Sequence, residues 1–316
     1  MSSIPDVLES ARYVLAWADF VLVNEASAQR WAGAQDPTHF LAPSMPPELE
    51  FNGDLAECAN LCLLRNCLNF CFWSERPWSV DFHGRTWTRT YAMFAAVLRA
   101  IEQDRSWLTA RRWAEADDDA VAGVFAGQGE IPLLAERRAV LNETGRCLDE
   151  RFGGQCLRAV EEADRHARKF AYLLAEHFPS FRDMATYAGR EVALLKRAQI
   201  CATDLHCLWQ QHDDQGLIGM DELTVFADYR LPQYLRHVRI IELQAELAAR
   251  IERRVELVAG APEEIELRAA TIWAGEIIRR TLGGTVPAWK IDFLLWQRSH
   301  DPDVRVEHHR TRTVFY

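Results

Sequence analysis

Apolar residues recur three and four positions apart along most of this chain, which is the spacing of an α-helix with one buried face. The pattern is densest in the second half, where segments containing glycine and proline interrupt it. It predicts helices over residues 5–18, 25–32, 91–102, 120–125, 132–151, 155–177, 189–209, 237–258, 263–282 and 287–299. Because such helices bury their apolar faces against one another, we expect a mainly α-helical fold.

Three stretches depart from this pattern. Residues 78–87 read WSVDFHGRTW and alternate around His83-Gly84, so they predict a small β-hairpin. Residues 54–72 are densely apolar and fit either a helix or an extended segment. Residues 304–316 alternate and are basic, and we expect them to fold back over the helices as an edge strand or an extended segment.

No repeat or low-complexity linker divides the 316 residues. With 49% apolar and 26% charged residues, the composition is that of an ordinary globular protein. We therefore expect a single domain over residues 1–316, with at most a soft division between residues 1–130 and residues 131–316.

The charge balance limits the partners of this chain. Asp and Glu number 46 against 36 Lys and Arg, for a net charge of −10, which argues against a general nucleic-acid-binding surface. A single phosphate in a local basic pocket is still compatible with this balance. No stretch approaches the roughly 20 apolar residues of a membrane span, and the first residues lack the basic start of a signal peptide. We expect a cytoplasmic protein with no membrane partner and no direct nucleic-acid partner.

Four of the eight cysteines lie close together, spaced CxxxCxxxxCxxxC: Cys58, Cys62, Cys67 and Cys71. This spacing lacks the tight CxxC pairs of zinc and iron–sulfur sites. On one helix the two pairs would point in different directions, so four thiolates would not converge. We interpret these cysteines as small buried residues and expect no metal site.

The segment from Leu223 to Leu235, LTVFADYRLPQYL, places polar groups beside a helix that can begin at Pro232, because proline is tolerated in a first turn. Its polar side chains are Asp228, Tyr229, Arg230 and Gln233. Such a helix start offers unpaired N–H groups and a partial positive charge, and so suits an anion or a carboxylate-bearing ligand. Alternatively, Asp228 and Arg230 only form an ion pair and cap the helix.

Other polar groups are embedded in apolar helical patterns. Asn69 lies in a dense apolar run, where an amide needs hydrogen-bond partners, so it is a member of a core network or contacts a ligand. Lys196 and Asp204 share one face of a helix, with Arg197 beside them, and could hold opposite ends of a polar ligand or be solvated.

Aromatic residues flank a carboxylate near the end of the chain. Trp289, Asp292 and Trp296 recur at i, i+3 and i+7, and Trp273 and Glu276 lie at i and i+3 of the preceding helix. Aromatic stripes at this spacing usually belong to a core. A carboxylate within the stripe is less usual, because it must be paired or have a function.

Several short motifs in one order carry a family resemblance: NFCFW at residues 69–73, KRAQI at 196–200, FADYR followed by LPQ, TIWAGE at 271–276, and HHRTRTVFY at 308–316. With these motifs the chain resembles the queuosine salvage protein family over nearly its whole length. The resemblance implies a mainly helical domain similar to the helical DNA glycosylases. It also implies an N-glycosylase that needs no metal or cofactor, has queuosine 5′-monophosphate as its small-molecule substrate, and releases queuine for reuse in tRNA modification. We expect a monomer.

Cleavage of an N-glycosidic bond needs a carboxylate near the anomeric carbon to stabilise an oxocarbenium-like transition state. Asp228 is the candidate for this carboxylate, either as the nucleophile or as the base that activates water. The leaving base that the resemblance implies is a 7-deazaguanine, which lacks the ring nitrogen that other purine glycosylases protonate. We therefore expect Asp292, Glu276 or Asn69 to hold the pyrimidine edge of the base.

The remaining candidates complete a predicted binding site. Aromatic rings stack on the base, a carboxylate binds the amine and diol of queuine, and Lys196, Arg197 and Arg230 clamp the phosphate. The predicted binding residues are Asn69, Phe70, Trp73, Lys196, Arg197, Asp204, Phe226, Tyr229, Arg230, Gln233, Trp273, Glu276 and Asp292. The alternative is a helical protein that binds a modified nucleotide without chemistry.

Overall fold

The structure is a computed structural model that describes residues 4–211 and 215–316. Within these residues the chain forms fourteen α-helices and three two-stranded antiparallel sheets, so the predicted mainly α-helical fold is confirmed. The helices are α1 (Val7–Leu15), α2 (Glu25–Gly33), α3 (Leu55–Cys67), α4 (Arg89–Gln103), α5 (Ala110–Ala114), α6 (Asp118–Val124), α7 (Leu134–Phe152), α8 (Cys156–Glu162), α9 (Ala167–His177), α10 (Lys196–Gln211), α11 (Arg230–His237), α12 (Ala245–Glu252), α13 (Pro262–Thr281) and α14 (Ala288–Arg298).

The sheets join segments that lie near and far in sequence. The strands are β1 (Val21–Val23), β2 (Ser79–Phe82), β3 (Arg85–Thr88), β4 (Met184–Tyr187), β5 (Arg190–Ala193) and β6 (Ile241–Leu243). Strands β2 and β3 form the predicted hairpin, which is confirmed. Its turn residues, His83 and Gly84, have φ of 47° and 75°, as the two-residue turns that match strand twist require.

Two predicted helices are interrupted. The one predicted over residues 155–177 is divided into α8 and α9, because Asp164 and Arg165 adopt left-handed backbone conformations with φ of 55° and 54°. The one predicted over residues 237–258 is only α12, since the residues before it form β6 and pair with the distant strand β1. Such strand pairing is decided by tertiary contacts and leaves little trace in local periodicity.

Helix starts near the central motif also differ from the prediction. The helix predicted over residues 189–209 begins at Lys196, because β4 and β5 form a second hairpin whose turn is Ala188-Gly189. The helix predicted to begin at Pro232 begins at Arg230 instead. Both shifts place charged side chains at the first residue of a helix.

Residues 54–72, for which two conformations were open, form helix α3 as far as Cys67 and continue without regular structure. All four clustered cysteines are buried, which confirms their interpretation as buried residues. In the described parts of the chain, no group of three or more His, Cys, Asp or Glu residues is arranged to hold a metal ion. None of the helices in these parts is long and apolar enough to cross a membrane.

The last residues fold back as an extended segment, as predicted. The Leu257 N–H donates to the Arg310 carbonyl at 2.7 Å, and the Cys71 N–H donates to the Tyr316 carbonyl at 2.9 Å. Tyr316 is buried as a result. The segment therefore connects the irregular chain after α3 to the start of α13.

Two groups of buried apolar residues form the core. The larger includes residues of α3, α4, α7, α9 and α10, and the smaller includes residues of α2, α11, α13 and α14. Both contribute residues to the cavity described below, for example Phe226 from the larger group and Leu231 from the smaller. The division of the chain into domains stays a prediction.

Helices α5 and α7 pack closely at Gly145. A Cβ atom added there would lie 2.4 Å from the Ala114 nitrogen and 2.6 Å from the Ala110 carbonyl oxygen. Gly123 in α6 offers a comparison, because a Cβ atom there would have no heavy atom within 4 Å. A side chain at Gly145 would therefore clash with α5, whereas one at Gly123 would meet no neighbouring atom.

We expect Gly145→Ala to lower the free energy of unfolding by about 1–3 kcal/mol, because the added methyl group forces two helices apart. Gly123→Ala should instead raise it by roughly 0.5–1 kcal/mol through the better helix propensity of alanine. Urea unfolding of both variants measures the difference. Equal effects of the two substitutions would contradict the close helix approach at Gly145.

Candidate active site

A cavity of about 880 Å³ opens between the helices. One long face of α10 lines it, together with the starts of α4 and α11, one face of α14, the chain after α3, and residues 43–53. Its volume is within the range of cofactor and small-ligand sites. The predicted catalytic residue, Asp228, lines the cavity, and so do eight of the thirteen predicted binding residues: Asn69, Phe70, Lys196, Asp204, Phe226, Tyr229, Arg230 and Asp292.

Asp228 both caps a helix and faces the cavity. Its Oδ1 accepts the N–H groups of Arg230 at 2.6 Å and Leu231 at 3.0 Å, at the start of α11. These two donors and the positive end of the helix stabilise a negative charge on the carboxylate. Across the described residues Oδ2 has no hydrogen-bond partner, and Asp228 makes no ion pair with Arg230. The carboxylate therefore has one oxygen held by the helix and one left for a ligand.

Asp292 on α14 holds the segment that precedes Asp228. Its Oδ1 accepts the N–H of Phe226 at 2.7 Å. Burial raises the pKa of Asp292 well above its ordinary value, and the nearby charge of Asp228 raises it further. The raised pKa of Asp292 favours its neutral form, which is the form in which a carboxyl group can donate a proton or a hydrogen bond.

Lys196, the first residue of α10, lies near both carboxyl groups. Burial lowers the pKa of its ammonium, and the charges of Asp228 and Asp292 oppose that effect. Its Nζ donates to the Asn69 carbonyl at 3.5 Å, and its N–H donates to the Asp183 Oδ2 at 3.0 Å. Lys196 therefore supplies a positive charge at the carboxylates.

A second acidic position lies two turns further along α10. Asp204 accepts a hydrogen bond of 2.8 Å from the Asn66 Nδ2. Burial raises the pKa of Asp204 to about 6, against the opposing effects of Asn66 and the Arg65 charge. This carboxyl group faces the same cavity as Asp228 but belongs to a separate part of its wall.

Two arginines form a basic corner at the starts of α4 and α11. Arg230 donates from NH1 to the Gln233 Oε1 at 2.7 Å, while its buried Nε has no partner in the described chain. Burial lowers the pKa of Arg230, and the charge of Arg89 lowers it further. Arg89 itself has a left-handed φ of 56° and no acidic partner among the described residues. Nearby His300 also has a lowered pKa, from burial and then the Arg230 charge.

Aromatic rings form the wall between these polar groups. Trp296 packs edge-on against Tyr91, with ring centroids 6.1 Å apart, and stacks on Phe293 at an interplanar angle of 12°. Trp289 also lines the cavity, and its buried Nε1 has no hydrogen-bond partner within the described residues. Rings of this kind offer flat faces to a heterocycle, and the indole N–H offers a donor.

Two buried arginines hold the irregular chain that carries Asn69. Arg137 donates to the carbonyls of Leu68, Phe70 and Cys71, and Arg197 donates to those of Asn66, Cys67 and Ser180. The two guanidinium groups also lie over the Phe70 ring, 4.3 and 5.2 Å from its centroid. Arg197 is thus occupied by main-chain carbonyls and lies outside the cavity, which corrects its predicted place in a phosphate clamp.

Four other predicted residues also lie outside the cavity. The Trp73 Nε1 donates to the Thr311 carbonyl, so this ring anchors the extended C-terminal segment. Gln233 donates a hydrogen bond to the Val306 carbonyl and accepts one from Arg230, so it orients the Arg230 side chain. Glu276 pairs with Arg279 and Arg280 on its own helix, and Trp273 lies under Arg280. Helical spacing indicated a shared face but not which face meets the cavity.

Several cavity residues were not among the predicted site residues: Arg65, Arg89, Thr90, Tyr91, Phe94, Trp289, Phe293, Trp296 and His300. The spacing of Trp289, Asp292 and Trp296 was a usable signal, since a carboxylate within an aromatic stripe is seldom part of a core. No local signal pointed to Arg89, because its position depends on the turn between β3 and α4.

Together these features define a class: a helical protein that encloses a nucleotide-sized cavity with buried carboxyl groups, aromatic walls and two arginines that form no ion pair within residues 4–211 and 215–316. Comparison with known proteins identifies the family. A family model described as "Queuosine salvage protein" matches residues 49–316. The chain belongs to the queuosine salvage protein family.

Similar proteins extend over almost the whole chain. A protein of Sphaerobacter thermophilus is 40% identical over 314 residues, which cover 98% of this chain and 97% of that protein. Proteins of Mus musculus and Bos taurus are 34% and 30% identical, each over 98% of both chains. All three carry the name queuosine 5′-phosphate N-glycosylase/hydrolase.

The raised pKa of Asp204 predicts a stability effect. Between the ordinary value of 3.8 and a native value of about 6, the native state binds more protons than the unfolded state, so its stability falls as pH rises through this window. Asp204→Asn has no ionisable carboxyl group at this position, so it removes that pH-dependent loss of stability. We expect the variant to have a higher Tm than the wild type above pH 6 and a shrinking advantage toward pH 4. An advantage independent of pH would contradict this.

Proposed function

We propose that this chain is a hydrolase that cleaves the N-glycosidic bond of queuosine 5′-monophosphate and releases queuine. Its family membership and the names of its relatives support the substrate and the reaction. The observation that carries the proposal is the arrangement of Asp228 and Asp292 around Lys196 in one cavity. A carboxylate held at a helix start and a carboxyl group whose burial favours the protonated form together provide charge stabilisation and a proton donor for glycosidic cleavage.

In this proposal Asp228 lies beside the anomeric carbon. The bond between the anomeric carbon and the glycosidic nitrogen breaks, and the electron pair of this bond leaves with the base. Positive charge therefore develops on the ribose ring. The free Oδ2 of Asp228 stabilises that charge, while the helix start holds Oδ1 and fixes the orientation of the carboxylate. Water then adds its oxygen to the anomeric carbon and passes a proton to the Asp228 carboxylate, which leaves ribose 5-phosphate as the sugar product.

The departing 7-deazaguanine needs a proton or a hydrogen bond away from the missing ring nitrogen. Asp292 supplies the donor in this proposal, because burial and the charge of Asp228 keep its carboxyl protonated. Lys196 balances the charge of the site during the reaction. The base stacks within the aromatic wall of Tyr91, Phe293 and Trp296, and Asp204 binds the amine of the queuine side chain as a charged partner.

The basic corner of Arg89 and Arg230 holds the 5′-phosphate in this proposal. Neither cation forms an ion pair among the described residues, and the charge of Arg89 lowers the pKa of Arg230, so a phosphate there relieves their repulsion. The phosphate site thus lies at the start of α4 rather than at Lys196 and Arg197. The left-handed φ of 56° at Arg89 fits a functional position, where backbone strain tends to be found.

We further propose that the enzyme acts as a monomer in the cytoplasm on the free nucleotide rather than on nucleic acid. The net charge of −10 supports the free nucleotide as the substrate, because nucleic-acid binding depends on an excess of positive charge. The two arginines of the basic corner suffice for one phosphate group but offer no continuous basic surface.

Asp228→Asn should abolish turnover and leave nucleotide binding nearly intact. The amide keeps an oxygen for the Arg230 and Leu231 N–H groups but loses the charge that stabilises the transition state. Wild type and variant are incubated with queuosine 5′-monophosphate, free queuine is measured by mass spectrometry, and binding is measured by calorimetry. Base release by the variant at the wild-type rate would contradict the role of Asp228. Binding without release by both proteins would instead support a non-catalytic binding protein.

Arg89→Gln should raise the KM for queuosine 5′-monophosphate by roughly 10- to 100-fold, the effect of losing one charge-assisted hydrogen bond. The rate with the unphosphorylated nucleoside should change little, because that substrate has no phosphate to hold. Arg85→Gln on the adjacent strand is the matched control, since its half-exposed side chain lies outside the cavity. Equal losses with nucleotide and nucleoside would contradict a phosphate site at Arg89.

A further inference from the structure

Arg268 on α13 is buried and lies outside the cavity, yet it connects two elements that form the proposed active site. Its two terminal nitrogens donate to the two carboxylate oxygens of Asp183. On the other side of the same guanidinium group, its Nε–H donates to the Ala227 carbonyl at 3.1 Å. Ala227 directly precedes Asp228 in the chain.

Asp183 in turn sets the start of α10. Its Oδ2 accepts the N–H of Lys196 at 3.0 Å, and its main-chain carbonyl accepts the N–H groups of Leu194 and Leu195. Leu195 has a left-handed φ of 49°, so the chain bends sharply here before the helix begins. One carboxylate therefore binds both Arg268 and the backbone of Lys196.

We propose that Arg268 is a positioning residue that fixes Asp228 relative to Lys196 by holding the Ala227 carbonyl and the Asp183 carboxylate with one rigid guanidinium group. This inference rests on the function proposed above. Three donors in one plane set the distance between the chain before Asp228 and the start of α10. Correct placement of a catalytic carboxylate matters because displacement by about 1 Å can lower a rate about 100-fold.

The charge of Arg268 is maintained inside the protein. Burial lowers its pKa, but the charges of Asp183 and Glu264 outweigh this and raise it above the ordinary value. The Tyr316 ring covers the guanidinium group, 4.3 Å from the ring centroid. The group is thus charged, enclosed and held by three different elements.

Helix α13 also provides a matched control. Glu266, two residues before Arg268, is equally buried and holds a different segment: it accepts the N–H groups of Phe20 and Val21 and the hydroxyl of Tyr187. None of these residues lines the cavity. A substitution at Glu266 therefore disturbs the same helix without disturbing the proposed active site.

The experiment compares Arg268→Lys with Glu266→Gln in the full chain. Lysine can still pair with Asp183 but has no Nε–H for the Ala227 carbonyl. We expect Arg268→Lys to lower kcat for queuosine 5′-monophosphate roughly 10- to 100-fold with KM changed less than about threefold. Hydrogen exchange should accelerate at the amides of Arg230 and Leu231, which bind Asp228. Glu266→Gln should retain kcat and accelerate exchange at Phe20 and Val21.

The inference is overturned if Arg268→Lys folds, has the same kcat as Glu266→Gln, and shows the wild-type rates of hydrogen exchange at the amides of Arg230 and Leu231. Absence of base release by the wild type would reject the proposed function instead, and the exchange rates would still decide whether Arg268 positions Asp228. Should Arg268→Lys fail to fold, Asp183→Asn serves in its place. It keeps an oxygen for the Lys196 N–H and should give the same pattern with a smaller loss of kcat.

Discussion

Buried arginines that bind main-chain carbonyls hold the cavity wall in place. The segments after α3 and before α11 have no regular structure, so their carbonyl groups need donors that no helix or sheet provides. Arg137 and Arg197 supply donors to the first segment, and Arg268 supplies one to the second. Each planar guanidinium group offers several donors in fixed directions. Segments that would otherwise be pliable are thereby held rigid where they carry Asn69 and Asp228.

The electrostatic character of the site follows from this burial. Groups packed between helices lose part of their solvation by water, so neighbouring charges act strongly on one another. Asp292 becomes hard to ionise, whereas Asp228 has two N–H donors at a helix start. Arg89 and Arg230 repel each other, and neither forms an ion pair within the described chain. A phosphorylated nucleoside supplies both an anion for these arginines and a base for the aromatic wall, which supports the function proposed from the family.

Much of the architecture was predictable because helical periodicity reflects the faces that helices bury. The hairpin formed by β2 and β3 was also predictable, since the His83-Gly84 turn has a local signature. Strands β1 and β6 were not, because they pair across more than two hundred residues and each is only three residues long. The break between α8 and α9 depends on two residues with left-handed backbone conformations, Asp164 and Arg165. Neither is a glycine, so the sequence gives no local sign of the break.

The sequence by itself determined the helical class, the chemical groups available and the motifs shared with the family. It also indicated Asp228, because a carboxylate beside a helix start has a local physical meaning. Only the tertiary structure decided which charged groups meet. Arg197 and Arg230 look alike in sequence, yet carbonyl groups enclose the first while the second borders the cavity. The reason is that periodicity specifies a helix face, whereas the packing of other helices decides what that face contacts.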